Sequence, residues 1–270
     1  MSQFYKRPTR KPLRRSPIAR GLSHLWGIQS IDGSGVLRDM VGLANGAFSG
    51  NNSWALIPGG YAVKFEGPAG TGSDIPVGDS SGSGAPLSAS NFTFVFKFRL
   101  TTVAAGQQTL YGSDNADALA VRIEADKLTL MKTFVAQASD TTALVTNRDY
   151  SGAISYDGTT VRFYIDGIAR GTVSSGTYAS STVAFQYKLG QEIAVPDWGG
   201  GSNPGYLYYF GIYDRVVTPA EIWQLHVNPQ QLLSPTGKIS SFQSAFGGGQ
   251  SAFGGGGGVT YNNFRRRRRI

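Results

Sequence analysis

One loop gathers the residue types that could hold a sugar. In Pro196-Asp197-Trp198-Gly199-Gly200-Gly201-Ser202-Asn203-Pro204-Gly205-Tyr206, an exposed Trp198 could stack on a sugar ring while Asp197, Asn203 and Tyr206 fix its hydroxyls. The competing reading folds Trp198 back to plug one end of the protein's own core. Other combinations lack the context their chemistry needs. Gly78-Asp79-Ser80-Ser81-Gly82 fits the G-x-S-x-G nucleophile pattern, which requires a strand before it and a helix after it. The sequel Ser83-Gly84-Ala85-Pro86 cannot start a helix, so a loop is the better reading. A glycosidase needs two carboxylates roughly 5–10 Å apart across a cleft. Here Glu192 and Asp197 straddle a proline, and Glu124 and Asp126 sit at a hairpin end, all reading as solvated turn acids. His24 and His226 are too isolated for a metal centre. Asp114-Asn115-Ala116-Asp117 could offer oxygens to calcium, although a polar hairpin tip explains it better. With no cysteine, thiol nucleophiles, disulfides and zinc–thiolate sites are excluded together. The expectation is a protein that is not an enzyme and carries no cofactor.

Charge is segregated along the chain. Positions 1–20 hold Lys6, Arg7, Arg10, Lys11, Arg14, Arg15 and Arg20 with no acid, a charge of +7. Positions 234–270 hold Lys238 and Arg265, Arg266, Arg267, Arg268 and Arg269, a charge of +6. The remaining 12 basic and 17 acidic residues leave the middle at −5. A mildly acidic domain thus stands between two basic arms. The first, punctuated by Pro8, Pro12 and Pro17, reads as extended chain. The second contains Gln243-Ser-Ala-Phe-Gly-Gly-Gly249 followed at once by its repeat at 250–256, a glycine-rich spacer. The arms suit docking onto acidic faces of neighbouring subunits. Phosphate contact by Arg265–Arg269 stays open as a weaker reading, because no aromatic platform or recognition helix accompanies the run. Solvated tails stay open too. No run of 18 apolar residues is present, so no membrane-spanning helix is expected. The first 20 residues lack the apolar centre of a secretory signal, so work outside the cell would imply lysis or an assembly.

The elements that must position these groups are strands. Phe92–Leu100 reads FTFVFKFRL, with Phe92, Phe94, Phe96, Phe98 and Leu100 on one face and Thr93, Val95, Lys97 and Arg99 on the other. Similar runs occur at Tyr61–Phe65, Leu119–Ile123, Lys127–Met131, Ala153–Tyr156, Val161–Ile165, Val183–Leu189 and Tyr206–Asp214. The last is apolar on both faces and should be covered on both. Asp157-Gly158 and Asp166-Gly167 supply tight hairpin turns. Thr218-Pro219-Ala220-Glu221 caps one short helix, which Asn228-Pro229 stops. The fold class is all-β: an antiparallel two-sheet jelly-roll sandwich with one short helix and extended basic tails. Its parts are a basic arm at 1–20, the sandwich at 21–233 and a Gly-rich, Arg-ended tail at 234–270.

Four segments in order resemble the laminin-G-like, concanavalin A-like jelly-roll family. They are Gly21-Leu-Ser-His-Leu-Trp26 with Tyr61–Phe65, then Asn91–Phe98, then the hairpin Ile154–Gly167, and finally Leu189-Gly190 leading through Gly205-Tyr206 and Phe210–Arg215 to the helix Thr218–Leu225. The related glucanases place acids at alternate strand positions, a pattern this chain does not match. Members variously bind calcium, sugars or proteins. The edges of the domain, Ser16-Pro-Ile-Ala-Arg-Gly21 and Asn228-Pro-Gln-Gln-Leu232 with an Arg-rich tail, are similar to a phage and prophage subset. That resemblance implies a virion component, on head or tail. Arg7, Arg10, Lys11, Arg14, Arg15 and Arg265–Arg269 would anchor it to acidic subunits within a homo-oligomeric assembly. The alternative is a host-attachment module whose partner is a surface glycan.

Overall fold

The computed structural model describes residues 17–27, 36–42, 44–48, 52–58, 60–65, 75–77, 91–101, 107–113, 119–132, 135–141, 143–174, 187–190 and 205–232. The chain divides into two units, Met1–Thr236 and Gly237–Ile270, and every described residue lies in the first. Its strands, in chain order, are β1 (Leu22–Gly27), β2 (Val36–Leu37), β3 (Gly46–Ala47), β4 (Ser53–Ile57), β5 (Gly60–Phe65), β6 (Ile75–Val77), β7 (Phe92–Leu100) and β8 (Gln107–Ser113). They continue with β9 (Leu119–Glu124), β10 (Lys127–Lys132), β11 (Val135–Ser139), β12 (Asp149–Tyr156), β13 (Thr160–Ile165), β14 (Ile168–Ser174), β15 (Tyr187–Leu189) and β16 (Gly205–Tyr213). One helix, α1 (Pro219–Val227), follows.

The strands form two eight-stranded antiparallel sheets. The first runs β14-β13-β12-β7-β16-β5-β4, with β1 joining β16; the second runs β11-β10-β9-β8-β15-β6-β3-β2. Residues of both sheets meet in one apolar core. Phe92, Phe94, Phe96, Phe98 and Leu100 are all fully buried there, as the alternation of β7 requires. A chain of stacked rings crosses the sandwich. Phe96 stacks on Phe210 at 5.5 Å, Phe210 on Tyr111 at 4.9 Å, and Tyr111 on Tyr187 at 5.2 Å. Gly152 of β12 pairs with Phe96 across the ladder, and a Cβ there would overlap that ring. The glycine thus makes room for the aromatic.

Several strands carry no strong sequence signal, β4, β6, β8, β11 and β14 among them; β6 contains Pro76, and β8 and β14 contain Gly112 and Gly171. Of the run Val183–Leu189, the strand covers Tyr187–Leu189, and the rest lies outside the described residues. The Asp166-Gly167 turn has φ of 53° and 76°, the paired positive values of a type I′ hairpin. Ala125 and Asp126 adopt the same signs, 45° and 64°, without a glycine to announce them.

A second apolar cluster lies on the outer face of the first sheet. Ile222 and Leu225 of α1 pack there with Val95, Ala153, Tyr164 and Tyr209. Ile18, in the turn Pro17–Ala19, is buried in the same cluster. The helix holds the expected capping box, in which Thr218 and Glu221 bond to each other's backbone N–H. Arg215 adds a fork onto Glu221, donating from Nη1 at 2.9 Å and Nη2 at 2.7 Å, and its Nε donates to the carbonyl of Arg20. The Thr93 hydroxyl donates to the Arg215 carbonyl and accepts from the N–H of Val217. One arginine therefore ties the N-terminal turn, the end of β16 and the helix cap together.

Two outcomes follow from this packing. Gly152→Val should destabilise the domain by about 1–3 kcal/mol through overpacking against Phe96, read from urea unfolding. The bonds from Arg215, outweighing burial and joined by those from Thr218, lower the Glu221 carboxyl from 4.5 to about 2. Its stabilising contribution is complete above about pH 4.5 and is lost as pH falls towards 2. Glu221→Gln should remove that part of the acid-side slope in melting temperature against pH.

Candidate functional site

Strand register lines up polar and aromatic residues across the half of the outer face that α1 leaves open. Ser53 pairs with Lys64, Lys64 with Tyr206, Tyr206 with Arg99, and Arg99 with Asp149. Residues directly opposite in an antiparallel pair share a face. The neighbours Val63, Phe65, Leu207, Phe98, Leu100 and Tyr150 are all in the inner core, so the row itself points outward. Lys97 stands two residues from Arg99 on the same face.

A bulge completes the site. The register of β16 against β7 shifts between Leu207 and Tyr209, which leaves Tyr208 as an extra residue. Both Tyr208 and Tyr209 consequently lie in the outer cluster, Tyr209 where α1 packs and Tyr208 among the polar groups. The Tyr208 hydroxyl donates to Asp149 Oδ1 at 2.7 Å, and Arg99 Nε donates to the same oxygen. Arg99 Nη2 reaches the carbonyl of Pro58 at 3.1 Å. Lys97 Nζ lies 4.3 Å above the Tyr208 ring and 3.6 Å from Asp149 Oδ2. Burial, then the hydrogen bond to Asp149, pushes the Tyr208 phenol far above its ordinary range, so it remains a proton donor. The side chains of Lys97, Arg99 and Asp149 keep 24%, 18% and 23% of their exposure, enough for a ligand to reach them. Tyr206 is partly exposed beside them.

Of the residues the sequence singled out for sugar binding, Tyr206 is the one this face contains. Asp197, Trp198 and Asn203 lie outside the described residues, as do Arg7, Arg10, Lys11, Arg14, Arg15 and Arg265–Arg269. Lys97, Arg99, Asp149 and Tyr208 were not singled out. Their signal was present: on the outer face of β7 the apolar Val95 gives way to Lys97 and Arg99, marking where cover by the helix stops. Tyr208 was hidden because a bulge leaves no trace in an alternation count.

Three further constellations lie away from this row. Ser151 Oγ and His226 Nδ1 lie 2.6 Å apart beside a small cavity lined by Val95, Gly152, Gly167, Tyr209 and Leu225. Asp166 accepts from the backbone N–H of Ser151 and from Arg148, not from the imidazole, so the arrangement is not a Ser-His-Asp triad. It joins the last turn of α1 to β12. His24 lies 2.6 Å from Asp39 and stacks on Trp26. Burial would raise the Asp39 carboxyl, but the bond to His24 and backbone donors at Leu25 and Gly42 hold it below its ordinary value. This is a closed structural clasp. Glu124 and Asp126 sit at the β9–β10 hairpin end. The Gly78–Gly82 pattern, Glu192 and Asp114–Asp117 lie outside the described residues. Among the described residues no group of three metal-ligating side chains occurs, and no helix is long and apolar enough to cross a membrane.

Comparison with known proteins places this fold. Residues 70–223 match a family model of the laminin G type, described as the concanavalin A-like lectin/glucanases superfamily. No curated protein matches the chain in sequence. Among solved structures, a Trypanosoma rangeli sialidase mutant displaying trans-sialidase activity is similar, with a TM-score of 0.58 at 14% identity, covering 79% of this chain and 34% of that one. The binding domain of Paraclostridial Mosquitocidal Protein 1 gives 0.60 at 12% identity, covering 77% and 52%. The botulinum neurotoxin serotype D/C binding domain gives 0.59 at 15% identity, covering 78% and 53%. The chain thus spans about a third of the sialidase's length and about half of each toxin domain. These likenesses establish the fold, and they correct one expectation. Catalysis was excluded on the sequence for want of paired carboxylates, yet the superfamily takes in glucanases and the fold recurs in sialidases, which are glycosidases. The fold is one that enzymes use, and the exclusion does not stand.

Tyr208→Phe keeps the ring and removes its bond to the carboxylate. It should cost about 1–2 kcal/mol in urea unfolding, with the rest of the fold unchanged by circular dichroism.

Proposed function

This chain belongs to the concanavalin A-like lectin/glucanases superfamily, and we propose that it is a glycan-binding module displayed on a phage particle, with Tyr206 at the centre of its recognition face. The observation that carries the reading is the cross-sheet row. A partly exposed tyrosine stands between Lys64 and Arg99, so an aromatic surface for the C–H face of a sugar adjoins hydrogen-bonding groups for its oxygens. Asp197, Trp198 and Asn203 precede Tyr206 closely in sequence and are proposed as further contributors. The likeness to binding domains of two toxins supports a recognition role.

The particle setting rests on the segregated charge. Two cationic ends flanking an acidic middle suit a domain clipped to acidic subunits by Arg7, Arg10, Lys11, Arg14, Arg15 and Arg265–Arg269. The free face of the sandwich would then meet the host surface.

Two measurements test the parts separately. On a glycan array, the chain should bind a defined subset of glycans, and Tyr206→Ala should weaken those signals by about three- to tenfold. Undiminished binding would remove Tyr206 from the site. Reversing the charge of Arg265–Arg269 should abolish incorporation into particles while leaving the domain folded. Normal incorporation would remove the anchoring role.

A further inference from the structure

We infer that the sugar received at the Tyr206 row is acidic, bearing a carboxylate or sulfate that Lys97 and Arg99 bind directly. The inference rests on the glycan-binding reading and names its ligand class.

The inventory of donors and acceptors decides the point. A neutral sugar hydroxyl both donates and accepts, so a site for neutral sugars offers both kinds of partner. This face offers an excess of donors. Lys97 and Arg99 carry positive charge, and among the described residues Asp149 is the carboxylate they share. Asp149 Oδ1 is already engaged by the Tyr208 hydroxyl and by Arg99 Nε. Lys97 faces Oδ2 from 3.6 Å, an ion-pair distance longer than a hydrogen bond. Its ammonium makes no hydrogen bond among the described residues and can donate to a further acceptor. Arg99 uses Nε and Nη2 on Asp149 and Pro58, which leaves Nη1 without an acceptor among the described residues.

Position reinforces the count. Lys97 Nζ lies over the Tyr208 ring, itself almost wholly buried, so a cation–π contact favours the ammonium at this point of the face. Arg99 is fixed at two points. Like charges held this close repel one another, and a single ion pair with Asp149 would have needed only one of them. An anion meeting Lys97 and the open edge of Arg99 would relieve that repulsion and form charge-assisted hydrogen bonds. Tyr206, between Arg99 and Lys64, supplies the ring contact to the rest of the sugar.

Calorimetric titration of the full chain with sialyllactose, a chondroitin sulfate disaccharide and lactose tests this. At least one acidic probe should bind, and lactose should bind at least tenfold more weakly. Lys97→Gln should reduce the acidic affinity about ten- to a hundredfold, with Lys97→Arg restoring most of it. Unchanged melting temperature and circular dichroism in Lys97→Gln separate lost binding from lost folding. Equal affinity for lactose and the acidic probes would overturn the inference and leave the glycan-binding reading standing. So would acidic binding undiminished in Lys97→Gln. No binding to any glycan, on this panel or the array, would overturn both.

Discussion

The contact of Ile222 and Leu225 with Val95, Ala153, Tyr164 and Tyr209 governs how the outer face of the first sheet is used. A nine-residue helix is too short to be stable alone in water. It persists because its apolar side is buried on the sheet and because Thr218, Glu221 and Arg215 satisfy its first turn. Its length then sets a boundary. Where the helix covers the sheet, the outward residues Val95, Ala153 and Tyr209 are apolar and Ser151 bonds to the helix itself; beyond it, the same strands present Lys97, Arg99, Tyr206 and Asp149. Structural cover and open face are two halves of one surface.

The network around Arg215 places that boundary. By joining Arg20, Glu221 and, through its own carbonyl, Thr93, this residue fixes where the chain leaves β16 and enters the helix. The bridge between Ser151 and His226 fixes the other end of α1 on β12. Ser151 is two residues from Asp149, so helix and row are held by the same strand.

The fold was legible in the sequence wherever alternation ran long enough to count. Phe92–Leu100, Leu119–Ile123, Lys127–Met131 and the Asp166-Gly167 hairpin read directly, because a period of two and a glycine at positive φ are local properties. The capping box was legible for the same reason. Strands β4, β6 and β8 were not, since short or glycine- and proline-bearing segments owe their extended form to neighbours in the sheet. The hairpin end at Ala125-Asp126 was legible from the flanking runs, but its positive φ was not, because pairing of β9 with β10 imposes it on ordinary residues. At the candidate site, Tyr206 was singled out from its place beside a polar loop. Lys97, Arg99 and Asp149 needed the register between β7, β12 and β16, a long-range quantity that no local window contains.

The extra residue in β16 has an evolutionary corollary. It resets the parity of the strand, so the segment before Tyr208 and the segment after it obey separate inside–outside rules. Loss of that residue would leave Leu207 opposite Phe98 and Tyr209 opposite Lys97 in unbroken alternation, so Tyr206, Leu207, Phe210 and Ile212 would all keep their faces and the outward Tyr208 alone would go. A single-residue insertion or deletion can therefore add or remove the Tyr208 ring beneath Lys97 without dismantling the sheet that carries it.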